Sequence, residues 1–302
     1  MNNIKKILWI VLFGFIAILL YFAFNSVLNI KNIKLASGKI HIVAAENFWG
    51  SLVSQIGGNQ VLVKSLVQDP NADPHQYEVS SADARLFARA KLIIVNGAGY
   101  DSWASSMLNA NPNASREVLD VATLLNKKNG DNPHFWYNPA YVNRVILQIK
   151  NDLISLDPAQ QKYFNNNYSR LVDNLAVYQN NLAYIKTKYS GIKVGSTENI
   201  FVYLANSTGL DLISPPTFMQ AVAEGTDPSA TSVAEFQNQI TSHQIKLLVY
   251  NSQTISPLTA SLRNLAIQNH IPIVPISETI QPPNATFQTW MNNQIINLIK
   301  AL

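Results

Sequence analysis

A long helical segment in the middle of the chain restricts its fold more than any other feature of the sequence. After Pro158, no glycine or proline occurs before Gly191, and apolar residues recur at steps of 4, 3, 4, 3, 4, 3 and 4. At 1.5 Å per residue, a helix over 158–189 would be roughly 48 Å long and would carry one continuous apolar face. A coiled-coil dimer could use such a face, although tyrosine at three of its positions suits packing on a domain better. The apolar positions are Phe164, Tyr168, Leu171, Leu175, Tyr178, Leu182, Ile185 and Tyr189.

Patterns of strands and helices alternate on both sides of this segment. Such alternation predicts parallel sheets covered by helices on both faces, which is the α/β class. The first half contains predicted strands at Lys39–Ala45, Val61–Val67, Leu92–Val95 and Val118–Val121. The second half contains predicted strands at Ile192–Val194, Asp211–Ile213, Ile245–Tyr250 and Ile271–Ile276.

Several helix starts are marked by capping sequences. Residues 80–83 (Ser-Ser-Ala-Asp) and 232–235 (Ser-Val-Ala-Glu) have the form of a capping box. Residues 157–160 (Asp-Pro-Ala-Gln) offer an N-cap with proline at the first helical position, at the start of the long segment. The Pro215-Pro216 pair predicts a loop.

Two histidines follow prolines in loops at the ends of predicted elements. His75 lies in residues 73–78 (Asp-Pro-His-Gln-Tyr-Glu), after the Val61–Val67 strand, and His134 lies in residues 132–139 (Asn-Pro-His-Phe-Trp-Tyr-Asn-Pro). Open α/β sheets bind ligands at the carboxyl ends of their strands. Because proline fixes its φ, the histidine that follows loses less entropy when it is ordered. A lone histidine is more often structural, but two such loops with acidic residues downstream favour a metal site.

These motifs resemble those of the zinc and manganese solute-binding receptors of bacterial ABC importers. The resemblance rests on residues 73–78, on 90–97 (Ala-Lys-Leu-Ile-Ile-Val-Asn-Gly), and on 133–136 with the long segment that follows. It extends from about Lys39 to Leu302. It implies two βα lobes with parallel sheets, joined by one long rigid helix that runs along both of them.

The sequence pattern also predicts a division of the chain. Residues 39–157 would form an N-terminal metal-binding lobe, 158–189 the inter-lobe helix, and 190–302 a C-terminal metal-binding lobe. Residues 1–38 would form a membrane anchor or signal segment and a linker.

In the resembled family the remaining two metal ligands come from the C-terminal lobe. The matching positions are Glu198, after the first predicted strand of that lobe, and Glu278, after the last. Taken alone, each is more often an acidic residue at a helix start, where the helix dipole favours it, and the pair together favours metal ligation. The predicted ligands are therefore His75, His134, Glu198 and Glu278, and Glu46, Glu78, Glu224 and Asp227 are alternatives to Glu278.

This donor set suits a divalent transition metal. Two carboxylates neutralise the charge of the cation, and nitrogen and oxygen donors without thiolate fit Zn²⁺ or Mn²⁺. The chain has no cysteine, so disulfides, thiolate metal sites and thiol nucleophiles are excluded. Asn132 and Asn138 replace two acids that are usual around the second histidine in the family, and the loop from Asp120 to Asn132 lacks the histidine-rich insertion of some zinc receptors.

The first 39 residues differ in charge from the rest of the chain. They contain five of the 22 basic residues and no acidic residue, which leaves 17 basic against 18 acidic residues elsewhere. Nucleic acid is therefore not a predicted partner. The uncharged apolar run Ile7–Phe24 follows Lys5 and Lys6, and its length favours an uncleaved membrane anchor over a cleaved signal peptide.

The predicted function is that of a non-catalytic, monomeric receptor at the outer face of the cytoplasmic membrane. It would bind Zn²⁺ or Mn²⁺ as cargo between its lobes and deliver the ion to an ABC transporter permease. A membrane-tethered adhesion or scaffold protein with a structural metal remains an alternative. A metal-dependent hydrolase is another, although four protein ligands would close the shell that a catalytic zinc leaves open to water.

Overall fold

The computed structural model describes residues 38–69 and 77–302. The predicted membrane segment Ile7–Phe24 and the predicted ligand His75 lie outside the described residues. Within the described ranges, no helix has both the length and the apolar character that a membrane span requires. The chain from Ile40 to Leu302 packs as one compact unit.

The first lobe is built on a parallel four-stranded sheet in the order β2-β1-β3-β4. The last five residues of β1, from Ile42 onward, are all buried, as expected for a strand covered on both faces. The strands are β1 (Ile40–Glu46), β2 (Val61–Val67), β3 (Leu92–Val95) and β4 (Glu117–Asp120). The helices between and after them are α1 (Asn47–Gly57), α2 (Ser81–Arg89), α3 (Ser102–Ala110), α4 (Val121–Leu124) and α5 (Pro139–Leu156).

The second lobe repeats this strand order in a parallel sheet, β6-β5-β7-β8. The order reverses between β1 and β3 in one lobe and between β5 and β7 in the other, and such points open a crevice at the strand ends. The strands are β5 (Lys193–Ser196), β6 (Asp211–Leu212), β7 (Leu248–Asn251) and β8 (Ile273–Ile276). The helices are α7 (Val202–Thr208), α8 (Pro216–Ala223), α9 (Ala230–Thr241), α10 (Pro257–Gln268) and α11 (Phe287–Ala301).

The long helix α6 (Gln161–Tyr189) connects the two lobes, as the fold prediction required. Its apolar face packs on α1 and α5 of the first lobe and on α7 and α11 of the second. Six of the eight predicted face residues are buried, and Tyr168 and Tyr189 are half-buried. The chain therefore covers this face itself, and the face is not the seam of a coiled coil.

One of the two predicted capping boxes is present in the structure. The capping box of Ser80 and Asp83 is present at α2. At α9 the predicted box at 232–235 is wrong, because Ser229 caps the helix three residues earlier by accepting a hydrogen bond from the Ser232 N–H. A capping hydroxyl further upstream adds a hydrogen-bonded turn to the helix, so the earlier serine takes the role.

Two proline segments also differ from the prediction. Pro216 starts helix α8 in place of the predicted loop, since proline at the first helical position lacks only an N–H that would have no partner there. Pro158–Gln160 forms a 3₁₀ turn and the Asp157 side chain makes no capping bond, so the α-helix begins at Gln161. The predicted division into domains at 157/158 and 189/190 stays a prediction.

Candidate metal centre

Three of the four predicted ligands converge from the two lobes. His134 lies in the loop before α5, whereas Glu198 and Glu278 each follow a strand of the second sheet by two residues. Each residue offers one ligand atom, a ring nitrogen of His134 or a carboxylate oxygen of Glu198 and Glu278, and these three atoms lie within 4.8 Å of one another. All three side chains are buried. Metal ligation by them stays a prediction, as does ligation by His75.

Strand order explains why the two glutamates meet. Strand β7 pairs with β5 on one side and with β8 on the other, all in parallel. The residues at the carboxyl ends of these strands therefore lie side by side, with Asn251 of β7 between Glu198 and Glu278. The sheet itself presents two carboxylates and an amide at one edge of the crevice.

The imidazole of His134 is oriented by a neighbouring amide. Asn132 Oδ1 lies 2.7 Å from His134 Nδ1 and also accepts a hydrogen bond of 3.1 Å from the His134 N–H. A proton on Nδ1 satisfies this contact and leaves the lone pair on Nε2, which lies 3.6 Å from Glu198 Oε1. Asn132 thus orients the imidazole of His134.

Asn132 also ties this loop to the second lobe. Its Nδ2 donates to the Asn199 carbonyl at 2.7 Å, and the Tyr203 hydroxyl donates to the Asn132 carbonyl at 2.9 Å. The other replaced acid, Asn138, caps α5 by accepting from the N–H groups of Ala140 and Tyr141. The two asparagines therefore have different roles, one beside the site and one at a helix start.

The two carboxylates share one hydrogen-bond donor group. Asn251 Nδ2 donates to Glu198 Oε2 at 3.0 Å and to Glu278 Oε1 at 2.6 Å. From the first lobe, the Tyr100 hydroxyl donates to Glu278 Oε2 at 2.7 Å. Burial and the negative charge of Glu278 raise the pKa of Tyr100 well above its usual value, so the phenol remains a donor at neutral pH.

Aromatic rings wall the site on the side of the first lobe. The His134 ring packs edge-on against Trp136 with centroids 5.2 Å apart, and Tyr100 lies 6.2 Å from His134 in a similar arrangement. Trp136 in turn stacks on Phe48 at 4.1 Å. This packing fixes the rings and lowers the local dielectric, which strengthens electrostatic attraction inside the site.

A second pair of acids lies buried behind this wall. Asp101 accepts hydrogen bonds from the N–H groups of Asn96 and Gly97, and burial raises its pKa to about 6. The Glu46 side chain is fully buried beside Asp101. Burial, and then the charge of Asp101, raise the pKa of Glu46 well above its usual value. Ligation by Glu46 in place of Glu278 stays a prediction.

A cavity of about 360 Å³ opens beside the site. Tyr100 and His134 form part of its wall, so it leads from solvent toward the candidate ligands. Residues of both lobes line the cavity, and its two acidic residues, Asp131 and Glu224, attract cations. The charged and polar lining residues include Asp131, Asn199, Gln220 and Glu224.

The sequence analysis did not identify Asn251 or Tyr100. Asn251 directly follows the predicted strand Ile245–Tyr250, so the strand-end rule that selected Glu198 and Glu278 could have selected it as well. An amide is not among the preferred donors for a transition metal, and only the fold places it between two carboxylates. Nothing in the local sequence around Tyr100 marks it as a partner of Glu278.

Comparisons with known proteins show the family of the chain. Residues 42–301 match the family model described as zinc-uptake complex component A, periplasmic. The metal ABC transporter substrate-binding lipoprotein FimA of Streptococcus parasanguinis is 28% identical over 47% of this chain and 50% of its own length. The manganese ABC transporter substrate-binding lipoprotein PsaA of Streptococcus anginosus is 24% identical over 57% of this chain and 60% of its own length. The chain therefore spans 50% to 60% of the length of these curated relatives.

Solved structures show the same fold. A manganese-bound periplasmic metal-binding protein from Candidatus Liberibacter asiaticus superimposes with a TM-score of 0.69 at 20% identity. The match covers 86% of this chain and 98% of that structure.

Proposed function

Because the chain belongs to the family of zinc-uptake complex component A proteins, we propose that it is the substrate-binding protein of a metal ABC importer. It captures a divalent transition metal, Zn²⁺ or Mn²⁺, in the crevice between its lobes and delivers the ion to the permease. The metal is the transported cargo, and the protein is not an enzyme.

One observation supports this function above all others: three buried ligand-type side chains meet from two lobes within 4.8 Å. His134 comes from one lobe, and Glu198 and Glu278 come from the other. A cation bound there attracts both lobes and compensates two buried carboxylates, which are unfavourable without a positive partner. His75 is proposed as the fourth ligand.

Location and partners follow from the same proposal. A receptor for cargo from outside the cell must lie outside the cytoplasmic membrane, and the segment Ile7–Phe24 would hold it there as an anchor or direct its export. We expect a monomer that docks on a separate permease. Cargo release is favoured by acid, because protons compete with the metal for imidazole and carboxylate ligands.

Titration with metal tests the binding site. Protein stripped with a chelator and dialysed should bind one Zn²⁺ tightly in competition with a chromophoric chelator, and His134→Ala should lose this site. His41→Ala is the matched control, because it removes an exposed histidine of β1 and should leave the affinity unchanged. Saturable binding that is equal in wild type and His134→Ala would refute the site.

Uptake and melting experiments test the role in transport. Cells that lack the protein should accumulate less zinc or manganese, and the wild-type gene but not His134→Ala should restore uptake. The stripped protein should be folded at the start of a melting experiment followed by circular dichroism, and it should unfold only on heating. A protein that folds only with metal would instead be a scaffold with a structural ion.

A further inference from the structure

Exposed lysines gather at the end of the second lobe that lies away from the crevice. The crevice forms at the carboxyl ends of the strands. The lysines lie at the opposite end, at or just before the starts of β5 and β7 and in the last turns of α6 and α11. This surface is the lysine end, and it consists of Lys186, Lys188, Lys193, Lys246 and Lys300.

Two helices that run side by side bring three of these lysines together. The rings of Tyr178 on α6 and Phe287 on α11 pack with centroids 6.2 Å apart. Further along both helices, Asn181 Nδ2 donates to Asn292 Oδ1 at 2.7 Å, so the two helices point in the same direction. Both helices end within a few turns beyond this contact, and the lysines of their last turns therefore lie at the same end of the lobe.

The starts of two strands add the other lysines to this surface. Only the short segment 190–192 separates α6 from β5, so Lys193 lies close to the end of α6. The Lys246 N–H donates to the Lys193 carbonyl at 2.8 Å, which places both residues side by side on neighbouring chain segments. An acidic residue, Asp211, lies opposite Lys193 in β6. Five lysines against this aspartate leave the surface positive.

Charge in this part of the chain is separated from one end of the strands to the other. Residues 186–302 contain six basic and six acidic residues, so they are neutral overall. Five of the six basic residues form the lysine end. Four of the six acidic residues lie at the crevice end: Glu198, Glu224, Asp227 and Glu278. Charges that serve only solubility are interspersed in sign, whereas this separation creates a positive surface that attracts anions.

An anionic membrane surface is the partner that fits the lysine end. In the proposed function, the apolar segment Ile7–Phe24 holds the receptor at the membrane. The fifteen residues 25–39 that follow it can span at most about 50 Å. Helix α6, which connects the two lobes, is about 44 Å long at 1.5 Å per residue. The tether is therefore long enough for the second lobe to reach the headgroups.

We propose that the lysine end is a membrane-docking surface that binds anionic phospholipid headgroups and holds the second lobe against the outer face of the cytoplasmic membrane. The crevice lies at the other end of the same strands, so it stays open to cargo while the lobe is docked. The proposal rests on the location given by the proposed function, but it does not depend on the metal ligands.

Energy transfer from the protein to lipids tests the proposal. The chain has no cysteine, so Thr187→Cys in the last turn of α6 gives a single site for a fluorescent donor. The labelled full-length chain is reconstituted into vesicles that carry an acceptor-labelled lipid. One set is phosphatidylcholine alone, and the other is an equal mixture of phosphatidylcholine and phosphatidylglycerol. Transfer should be greater in the mixture, and it should fall to the neutral level in about 1 M salt, where the Debye length is about 3 Å.

Substitutions of lysine separate the lysine end from a general effect of charge. The test variant replaces three of its members: Lys188→Gln, Lys246→Gln and Lys300→Gln. The matched control removes the same charge from three exposed lysines of the first lobe and the start of α6: Lys64→Gln, Lys91→Gln and Lys162→Gln. Each lysine near an anionic surface strengthens binding roughly fivefold, so the docking constant should fall more than about tenfold in the test variant. It should change less than about twofold in the control.

Equal transfer in neutral and anionic vesicles would overturn the proposal, and so would equal losses in the two triple variants. Should the test variant fail to fold, the salt dependence of the wild type decides, because transfer that persists in about 1 M salt is not electrostatic docking. A chain that docks on anionic vesicles but binds no metal would refute only the proposed function. Normal metal binding without lipid-dependent transfer would refute only the role of the lysine end.

Discussion

Replacement of Asn132 tests how the imidazole of His134 is prepared for a metal. Asn132→Ala removes two contacts to His134, at 2.7 Å to Nδ1 and 3.1 Å from the backbone N–H, and one to the Asn199 carbonyl at 2.7 Å. The ring then loses the acceptor that keeps the proton on Nδ1. It can rotate or change tautomer, and part of the binding energy must be used to restore its orientation.

The magnitude follows from the bond to the ring. A hydrogen bond of this kind contributes about 0.5–1.5 kcal/mol between neutral groups and about 1.5–3 kcal/mol when one partner is charged. A bound cation draws electrons from the ring and makes Nδ1–H a stronger donor, so the bond matters more in the loaded than in the empty protein. The loss of an orienting group typically weakens metal binding about 10–100-fold, or about 1.4–2.7 kcal/mol, which lies in the same range.

Competition with a chromophoric chelator at neutral pH measures this change. Asn132→Ala should weaken zinc binding within that range. Asn132→Asp should bind zinc more tightly than Asn132→Ala, because its carboxylate is a stronger acceptor for Nδ1–H, although it cannot donate to the Asn199 carbonyl. Asn138→Ala serves as the control, since it removes the cap of α5 and should lower stability by about 1 kcal/mol without changing the affinity. Unchanged affinity in Asn132→Ala, or binding in Asn132→Asp as weak as in Asn132→Ala, would refute the reasoning.

Three further predictions concern the stability of the fold, measured as the free energy of unfolding in urea. Gly97→Ala should destabilise the protein by about 1–3 kcal/mol more than Gly99→Ala. Both glycines have a positive φ (74° and 86°), but only at Gly97 would an added Cβ collide with a neighbour, a carboxylate oxygen of Asp120 at 2.7 Å. Equal losses of stability in the two variants would contradict this. Leu175 is fully buried on α6, so Leu175→Ala should lower the free energy of unfolding by about 2–5 kcal/mol. The Val177 side chain on the same helix is 57% exposed, so Val177→Ala should change it by no more than about 0.5 kcal/mol. Similar losses in both variants would mean that the α6 face is not packed as described. The pKa of Glu46 is raised in the folded state, so the folded protein keeps a proton that the unfolded chain releases. This group therefore lowers the free energy of unfolding progressively as the pH rises above 4.5, the ordinary pKa of the carboxyl group. Glu46→Gln removes the effect, and its stability relative to wild type should therefore increase with pH, whereas a constant difference would argue against the raised pKa.

Local sequence signals were sufficient where the structure depends on neighbouring residues. The predicted strands Val61–Val67 and Leu92–Val95 agree with the observed strands at both ends. The hydrophobic periodicity, a proline in the first turn of a helix and a capping residue each depend only on residues that are close together in the chain. They fail where two local choices compete, as at the start of α9, where Ser229 caps the helix and not Ser232.

The candidate site divides in the same way. The sequence by itself determined which residues offer donors and that His134, Glu198 and Glu278 follow the ends of elements. It also determined the α/β class and the continuous face of the long helix, because periodicity records burial directly. The tertiary structure alone decided that both lobes share one strand order and that β7 lies between β5 and β8, which brings Asn251 between the two glutamates. The physical reason is that strand order and lobe packing join residues far apart in the chain, and no pattern within a short window encodes which strand ends become neighbours.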